Sequence, residues 1–517
     1  MPSNLTFPGV YIEEIPSGVR TIIGVATSIT AFIGRALRGP TDEPVVINSF
    51  GDFEREFGGL WVDSSLGYAV RDFYLNGGSQ AIIVRLHNSA TAARITTSNA
   101  NPLTLDAASR GKWGENLRIE VDHKTKNPSD KKMFNLTVYE TTKKVTAVSV
   151  SPEEIVSVEK ILNVSVDKND PRFVRTAVNE ESRLVRIPEG TTLPGGAPAE
   201  GHAEVTIPPT DGVGIRINEF IIGKEVSKEG LYALEKADLF NLLCIPPYKD
   251  GNVEYSTLID TVARYCEKKR AMLIVDPPSS WKTKGDVTTA MKDIPQNVGT
   301  NSKNAALFFP RLRQPNQLRD NKLEDFAPCG AVAGIFARTD TQRGVWKAPA
   351  GFDASLIGVP QLTVPLTNPE NGELNQIGVN CLRNMPAAGN VVWGSRTLQG
   401  NDRLTSEWKY IPVRRTALFL EESLYRALQW VVFEPNDEPL WSQIRLNVGA
   451  FLNTLFRQGA FQGSTPREAY FVKCDKETTT QNDIDRGVVN ILVGFAPLKP
   501  AEFVVIKLQQ IAGQIQV

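Results

Sequence analysis

The segment 414–508 constrains the fold most, because its hydrophobic pattern changes from the period of a helix to that of a strand. Its first part, 415–439, predicts an amphipathic helix with leucines at fourfold spacing: Leu420, Leu424 and Leu428. A second helix is predicted over 440–456, where the apolar residues form one stripe. Asn436 or Asp437 can cap the N-terminus of this helix, Pro439 suits its first turn, and Gly459 can end it.

Two β-branched runs close this segment. They cover 488–495 and 502–508, and the sequence Ala-Pro-Leu-Lys-Pro-Ala separates them. A proline-rich connection of this kind predicts a turn, and the runs on either side have the composition of strands. We therefore predict a two-stranded hairpin at the end of the chain.

Four sequence strings in this segment carry a resemblance to a known family. They are FEPNDEPLW, FRQGAFQG, AYFVKCD and FAPLKPAEFVVIKL, in this order. The segment resembles the C-terminal core of contractile tail sheath proteins, which include phage tail sheaths and the sheaths of phage-like contractile injection systems. The resemblance implies a structural subunit that polymerises helically around an inner tube. The polymer would contract from a metastable extended state and drive the tube through a target envelope.

The same resemblance implies a set of partners. They are other copies of the chain in stacked rings, the inner tube protein, and baseplate and terminal cap proteins. It also implies assembly in the bacterial cytoplasm, or a place in a virion tail or a released extracellular particle. We expect no direct contact with nucleic acid, no insertion into a membrane and no cofactor.

Composition limits the number of domains and the kinds of partner. A chain of 517 residues has room for about three domains of roughly 150 residues each. Its 57 basic and 58 acidic residues give no general attraction to nucleic acid or to an anionic membrane. The five cysteines include no C-x-x-C pair, which argues against a disulfide framework and a zinc site. No signal-peptide pattern and no long apolar run is present, so we expect the protein in the cytosol.

The order of the patterns predicts a mixed α/β, multidomain chain. Two successive helix-to-strand steps between 231 and 278 indicate a small sheet with parallel character. The resemblance adds an inner α/β core built from N- and C-terminal segments, a β-rich inserted domain, a second α/β domain and extended terminal arms. The predicted boundaries are an N-terminal arm at 1–20, the N-terminal part of the core at 21–87, the inserted domain at 88–210, the middle α/β domain at 211–350, the C-terminal core at 351–500 and a C-terminal arm at 501–517.

The N-terminal arm contains one short predicted strand, VYIEEI, with no neighbouring partner. A lone strand is unstable in water, so it is either the first strand of a sheet within the chain or an arm that joins a neighbour's sheet. FPGVYIEEIPSGVRTI also resembles the start of tail sheath proteins, in which the N-terminal arm and the C-terminal strand link adjacent subunits. The resemblance thus assigns two sets of linking residues: Val10, Tyr11, Ile12, Glu13 and Glu14 at one end, and Phe503, Val504, Val505, Ile506 and Lys507 at the other.

Charged residues of the second predicted helix are candidates for the inner-tube contact. Glu438, Arg445 and Arg457 lie on or beside this helix. The resemblance places the inner core against the tube, so we expect these residues to face it. The alternative is that they meet solvent or another sheath subunit.

Few residues offer catalytic chemistry. The three histidines lie apart from any recognised nucleophile setting, and the sequence contains no G-x-S-x-G, H-E-x-x-H or P-loop motif. Asp276 follows an apolar strand, where α/β enzymes often place a functional acid. The 337–349 loop contains Arg338, Asp340 and Arg343, which could bind a phosphate. Asp276 and this loop define an alternative function, that of an α/β metabolic enzyme.

Both enzyme-like features also have a structural interpretation. Asp276 precedes two prolines and can form a turn. The charged residues of the 337–349 loop can form ion pairs or subunit contacts. A non-contractile structural polymer is a third alternative. We predict no catalytic, cofactor-binding or metal site.

Overall fold

The computed structural model describes residues 20–97, 101–142, 154–247 and 255–507. The chain divides into two compact units. The sheet unit comprises Ser28–Arg338 and Ala350–Thr405. The helical unit comprises the described residues of 1–27, 339–349 and 406–517. The prediction of a mixed α/β, multidomain chain is confirmed.

The sheet unit begins with an alternation of strands and helices. Its first elements are β1 (Thr30–Gly34), β2 (Pro44–Ile47), α1 (Phe50–Phe57), α2 (Leu66–Leu75) and β3 (Ala81–Arg85). Ser49 begins α1, because its hydroxyl accepts a hydrogen bond of 3.1 Å from the amide of Asp52. Every residue of β3 is buried, as its continuous apolar sequence predicts.

A second sheet is formed by the sequence that follows. Its elements are β4 (Arg94–Thr96), β5 (Thr104–Ala107), a 3-10 helix (Lys112–Asn116), β6 (Leu117–Asp122), β7 (Met133–Thr141), β8 (Ile155–Ser165), α3 (Val174–Glu181), β9 (Val185–Arg186) and β10 (Gly201–Ile207). The strands pair antiparallel in the order β8-β7-β6-β10-β4-β5-β9. This sheet has a hydrophobic core of its own, which includes Ile119, Leu136 and Val185. This part of the chain is therefore β-rich, as its sequence predicts.

The remainder of the sheet unit is again α/β. Its elements are α4 (Ile217–Phe220), a 3-10 helix (Gly230–Lys236), β11 (Leu242–Cys244), α5 (Tyr255–Lys269), β12 (Met272–Val275), α6 (Lys284–Ala290), α7 (Ile294–Asn297), β13 (Ala305–Phe309), β14 (Leu312–Asn316), a 3-10 helix (Gln317–Arg319), β15 (Lys322–Phe326), α8 (Cys329–Arg343), β16 (Gln361–Leu362), α9 (Asn368–Gln376), β17 (Val379–Met385) and β18 (Gly389–Val392). Strands β14, β15 and β16 form a small antiparallel sheet. The last residues of α8 belong to the helical unit.

Eight strands form the main sheet, in the order β18-β17-β13-β12-β11-β1-β3-β2. The six inner strands are parallel, and β2 and β18 pair antiparallel at the edges. The predicted parallel character is confirmed, but the sheet is not small. Strands β1, β2 and β3 complete it from far away in the sequence, and a local hydrophobic pattern cannot reveal such pairing.

The helical unit contains both predicted helices, but the first ends at Ala427 and does not continue to 439 as predicted. Its elements are α10 (Ile411–Ala427), a 3-10 helix (Gln429–Val431), α11 (Glu438–Arg457), α12 (Pro466–Ala469), β19 (Tyr470–Lys473), α13 (Gln481–Asp485) and β20 (Leu492–Phe495). Asp437 caps α11 by accepting a hydrogen bond of 2.7 Å from the amide of Glu438. Gly459, just beyond the helix, has a φ of 78°, a left-handed conformation that favours glycine. The core of the unit includes Leu420, Trp441, Ile444, Phe451, Leu455 and Phe461.

The predicted hairpin between 488–495 and 502–508 is wrong. Strand β20 pairs instead with β19, in antiparallel register. Residues 501–507 form no strand. Strands β19 and β20 pack together against the core of the helical unit, whereas residues 503–506 stay exposed and add nothing to that core.

Candidate assembly surface

The two-stranded sheet of the helical unit has unpaired edges. Within the described residues, β19 and β20 pair only with each other. An isolated pair of strands is marginally stable in water and presents unpaired amide and carbonyl groups along both edges. This pair is supported by the hydrophobic core of the unit, against which Tyr470, Val472, Val493 and Phe495 pack. Its edges are therefore stable places at which a further strand can add.

The residues predicted to form the C-terminal link are exposed. Residues 503–506, with the sequence Phe-Val-Val-Ile, are 76–82% exposed, and Lys507 is exposed beside them. The hydroxyl of Tyr410 donates a hydrogen bond of 3.2 Å to Glu502, which holds the start of this segment. A run of consecutive exposed apolar side chains is unfavourable in water and marks an interaction site.

The residues predicted to form the N-terminal link, 10–14, lie outside the described residues. The chain that follows them is fixed on the helical unit. The amide of Arg20 donates a hydrogen bond of 3.1 Å to Oδ1 of Asn447 on α11. The amide of Val25 donates one of 3.2 Å to the hydroxyl of Ser423 on α10. The described part of the chain therefore begins on the surface of these two helices.

A buried ion pair joins α10 to the end of α8. The side chains of Arg415 and Asp340 are 4% and 3% exposed, and their closest nitrogen and oxygen atoms are 2.6 Å apart. The hydroxyl of Thr27 donates to Asp340 at 2.6 Å, and Arg415 donates to the carbonyl of Thr27 at 2.9 Å. The structural interpretation of Asp340 as a member of an ion pair is confirmed.

The 337–349 segment is not a loop throughout. Residues 337–343 continue α8, because they include no glycine or proline, and the helix ends before Gly344, whose φ is 92°. Arg338 donates to two backbone carbonyls, and Asp340 is paired within the helical unit. Two of the three residues that could bind a phosphate, Arg338 and Asp340, are therefore bonded to other groups of the protein.

Asp276 holds the start of α8. It is 3% exposed, and its Oδ1 accepts a hydrogen bond of 2.8 Å from the amide of Cys329, the first residue of the helix. Desolvation raises the pKa of its carboxyl to about 6, although hydrogen bonds from Cys329 and the charge of Arg311 act in the opposite direction. The hydroxyl of Tyr255 donates to its backbone carbonyl. The carboxyl of Asp276 therefore acts as a helix cap.

Side chains near the crevice where the strand order of the main sheet reverses have partners within the protein. In open α/β sheets, ligands bind at this position, outside the carboxyl ends of the strands. Here it lies between β1 and β11. The hydroxyl of Ser65 donates at 3.0 Å to the carbonyl of Pro247, which follows β11. The guanidinium of Arg35, which follows β1, lies 4.5 Å from the centre of the Trp61 ring. Ser65 and Arg35 therefore each have a partner within the protein.

No group of three or more histidine, cysteine, aspartate or glutamate side chains in the described residues could hold a metal ion. All five cysteines are free and buried, and burial raises the pKa of Cys381 to about 12 and that of Cys474 to about 11. No helix in the described ranges has both the length and the hydropathy needed to cross a membrane.

The three candidate tube-contact residues form two separate charged surfaces. Glu438 and Arg445 pair with each other at the start of α11, at 2.5 Å, and Arg445 also donates to the carbonyl of Cys474. Arg457 is exposed in the last turn of the helix. At a rise of about 1.5 Å per residue, about 18 Å of helix separates Arg445 from Arg457.

Sequence analysis missed two apolar features of the helical unit. A groove between α10 and β20 has a volume of about 470 Å³ and is lined by Leu424, Tyr425, Leu428, Gln429, Ile491, Leu492 and Val493. In the loop between α10 and α11, Phe433 is fully exposed and has a φ of 72°. The helical spacing assigns Leu424 and Leu428 to a buried face, so the groove was not expected. Phe433 is the first residue of the family-like string FEPNDEPLW, but nothing in that string predicts its exposure.

Comparison with protein families matches two adjoining parts of the chain. The phage tail sheath protein central domain matches residues 222–398, and the phage tail sheath C-terminal domain matches residues 404–511. Together the two matches cover more than half of the chain and include both β19 and β20.

Sequence relatives are tail sheath proteins of phages. The tail sheath protein of Vibrio phage KVP40 is 29% identical over 176 residues, which are 34% of this chain and 25% of that protein. The tail sheath protein of Enterobacteria phage T4 is 26% identical over 168 residues, 32% of this chain and 24% of that protein. The chain thus spans about a quarter of the length of these two relatives.

Solved structures share the fold over nearly the whole chain. The helical sheath of the anti-feeding prophage in its contracted state has a TM-score of 0.58 at 23% identity and covers 98% of this chain and 99% of its own. The sheath tail protein Lin1278 from Listeria innocua has a TM-score of 0.59 at 16% identity, over 92% and 96%. With this fold, and with family matches over more than half of its length, the chain belongs to the phage tail sheath protein family.

Proposed function

We propose that this chain is the structural subunit of a contractile sheath. Copies polymerise helically around an inner tube, and the polymer contracts from a metastable extended state to drive the tube through a target envelope. One observation carries the proposal: a single helical unit has both an exposed apolar segment at 503–506 and a two-stranded sheet with unpaired edges. The first can supply a strand, and the second can accept one.

Strand addition would supply the links between copies. In this proposal, residues 503–507 of one copy pair with one edge of the β19–β20 sheet in a neighbour, and residues 10–14 pair with the other edge. Backbone hydrogen bonds in such a sheet require no particular side chains. Rigid bodies joined in this way can rotate and slide while the links persist. The bonds from Arg20 to Asn447 and from Tyr410 to Glu502 hold the roots of both arms.

Contraction needs only a small free-energy difference per copy. Two packings of one chain can differ by a few kcal/mol. The extended polymer is then a kinetic trap, and the contracted polymer is the state of lower free energy. Summed over many copies, this difference is the source of the force on the tube. The solved contracted sheath of the anti-feeding prophage, which has a similar fold, supports this part of the proposal.

The proposed partners are other copies of the chain, an inner tube protein, a baseplate and a terminal cap. A chain of similar fold occurs in the solved baseplate of the anti-feeding prophage, which supports the baseplate contact. Glu438, Arg445 and Arg457 are the proposed tube contacts. Assembly takes place in the bacterial cytoplasm, and the particle is a virion tail or is released from the cell. The β-rich domain within 88–210 points away from the tube, where added volume meets no neighbour.

The proposed role is structural and not enzymatic. Asp276, the best enzyme-like residue of the sequence, caps α8 through the amide of Cys329. Asp340 is bonded to Arg415. Both side chains therefore have a role in the fold that requires no substrate.

Deletion of residues 501–517 tests the proposal. The truncated chain is expected to fold with a Tm close to that of the wild type, because the segment 503–506 contributes no buried apolar surface. It is expected to form no sheaths in negative-stain electron microscopy. As a matched control, Val504→Ile with Val505→Ile keeps the strand propensity and leaves assembly intact. Regular sheaths from the truncated chain contradict the proposal.

A further inference from the structure

Strands β19 and β20 present two open edges whose surroundings differ. The amide of Ala496 donates to the carbonyl of Ala469 at 2.8 Å, and successive residues of a strand direct their backbone groups to opposite sides. In the observed register, the backbone of Val493 therefore faces the open edge of β20, and the backbone of Val472 faces the open edge of β19. Each edge can accept one added strand.

Apolar groups lie on both sides of a strand added to the edge of β20. On the core side, Leu424 and Leu428 of α10 line the groove beside this edge and pack on the core of the helical unit. On the outer side, Leu492 is exposed, and the ring of Phe471 lies so close over Gly494 that a Cβ there would clash with it. The edge of β20 therefore favours a strand that is apolar on both of its faces.

The two arms differ in the same respect. Residues 503–506, Phe-Val-Val-Ile, are apolar at every position, which is typical of a strand covered on both faces. Residues 10–14, Val-Tyr-Ile-Glu-Glu, have one glutamate on each face, because successive side chains of a strand alternate. At the edge of β20, one of these carboxylates would meet the apolar groove without a partner, which is unfavourable.

The edge of β19 has a positive charge. Lys473 is exposed on the outer face of this strand, on the same side as Phe471. Either orientation of residues 10–14 puts one glutamate on that face. Cross-strand pairs of opposite charge stabilise a sheet, and like charges that face each other destabilise it. Lys507, at the end of the other arm, would bring a second positive charge to this edge.

We propose that residues 503–506 of one copy add to the edge of β20 in a second copy, and that residues 10–14 add to the edge of β19. The inference rests on the proposed function, which leaves open the edge that each arm takes. It gives the groove one occupant, the apolar arm strand. The two edges select different arms, so every link joins unlike surfaces, and repetition of such links gives a ring or a helix.

Photo-crosslinking from each arm tests the assignment directly. A benzophenone analogue of phenylalanine replaces either Phe503 or Tyr11 in unlabelled full-length protein. This protein is assembled with an excess of wild-type chain labelled with heavy isotopes, so that polymers form and crosslinks between copies contain one light and one heavy peptide.

The two probes are expected to reach different strands. From position 503, we expect crosslinks to heavy residues 424–429 or 491–495, which line the groove and form β20. From position 11, we expect crosslinks to the heavy tryptic peptide 468–473, which contains β19.

Other crosslinking results overturn the inference. If the two probes exchange their targets, the arms take the opposite edges, and the inference is wrong while the proposed function stands. Crosslinks from either probe to the tube protein instead, or assembled sheaths without crosslinks between copies, contradict the strand links of the proposed function as well. If the wild type itself forms no polymer, the proposed function fails and the inference fails with it.

Lys473→Glu distinguishes the two possible assignments by the sign of its effect. The side chain is exposed, so the Tm of the unassembled variant is expected to match that of the wild type. With the acidic arm at β19, an attraction becomes a repulsion, and the critical concentration for sheath formation is expected to rise by roughly two- to thirtyfold. With Lys507 at this edge, the critical concentration would fall. An unchanged or lower value overturns the inference.

A compensating variant and a control complete the experiment. Lys473→Glu with Glu13→Lys and Glu14→Lys is expected to return the critical concentration to near the wild-type value. If it does not, Lys473 meets another partner, and the assignment of the β19 edge is wrong. Lys160→Glu makes the same charge change at an exposed strand position of the β-rich sheet and is expected to leave assembly unchanged. An equal defect in this control means a general effect of charge and overturns the inference.

Discussion

Replacing Asp340 by alanine leaves the guanidinium of Arg415 buried without its carboxylate. Two hydrogen bonds of 2.8 and 2.6 Å join these side chains, which are 3% and 4% exposed. The variant keeps the bond of 2.9 Å from Arg415 to the carbonyl of Thr27, but a carbonyl does not neutralise the charge. Removal of one partner of a buried pair costs about 3–5 kcal/mol. We expect this loss in the free energy of unfolding of the helical unit.

Native-state hydrogen exchange measures this loss peptide by peptide. At about 1.4 kcal/mol for each factor of ten, the amides of α10 are expected to exchange about a hundredfold to several thousandfold faster in the variant. Glu438→Ala is the matched control, because it breaks the exposed pair with Arg445. An exposed pair contributes about 0.2–1 kcal/mol, so exchange in α11 is expected to change by at most about fivefold.

A second variant separates the buried charge from lost packing. Asp340→Leu with Arg415→Met replaces the pair by apolar side chains, and it is expected to recover most of the stability because no unpaired charge remains. If Asp340→Ala costs no more than Glu438→Ala, the inference from burial to stability is refuted.

Three further predictions concern other parts of the chain. The pKa of Asp276 is raised from 3.8 to about 6, so the folded state holds this proton more tightly than the unfolded state. The stability of the wild type therefore falls as pH rises from about 4 to about 6. Asp276→Asn cannot ionise, so this fall is expected to be absent from its curve of Tm against pH. Parallel curves for the wild type and the variant would contradict the prediction. Arg445→Glu with Arg457→Glu is expected to abolish assembly of the sheath on the inner tube. If the double variant still assembles on the tube, the proposed tube contact is wrong. The control makes the same charge change in the β-rich region: Lys160→Glu with Arg183→Glu. Deletion of 1–17 is expected to leave a folded monomer that forms no sheaths in electron microscopy, and regular sheaths would show that this arm is dispensable.

Local signals in the sequence were sufficient for several elements and for some helix starts, but not for the end of α10 or for the lack of a strand at 501–507. Ser49 and Asp437 are capping residues that act on amides within a few positions, so a short window of sequence contains both partners. The two helices of the helical unit follow from the spacing of their apolar residues. The fully buried β3 follows from its continuous apolar run.

Long-range pairing could not be predicted in the same way. The partner of β20 is β19 and not the nearer run at 502–508, because a hydrophobic pattern does not specify which strands meet. The same limit applies to β1, which completes a sheet with strands more than two hundred positions away. Asp340 and Arg415 are 75 positions apart, and no pattern links them.

The functional surfaces were only partly visible in the sequence. The apolar run at 503–506 was assigned through a family resemblance, and its exposure is a property of the folded chain. Phe433 stands first in the family-like string FEPNDEPLW, but a sequence pattern does not show whether such an aromatic side chain is buried or exposed. Its significance depends on its φ and its exposure, which require three-dimensional structure.

Negative-stain electron microscopy of the purified protein, alone and with its cognate tube protein, tests the contractile-sheath proposal most directly. The proposal predicts hollow helical cylinders in both samples. They are expected to be wide and short for the protein alone, and narrow and long on the tube. A small uniform particle in both samples would contradict the proposal, and cylinders of one fixed diameter would indicate a structural polymer that does not contract.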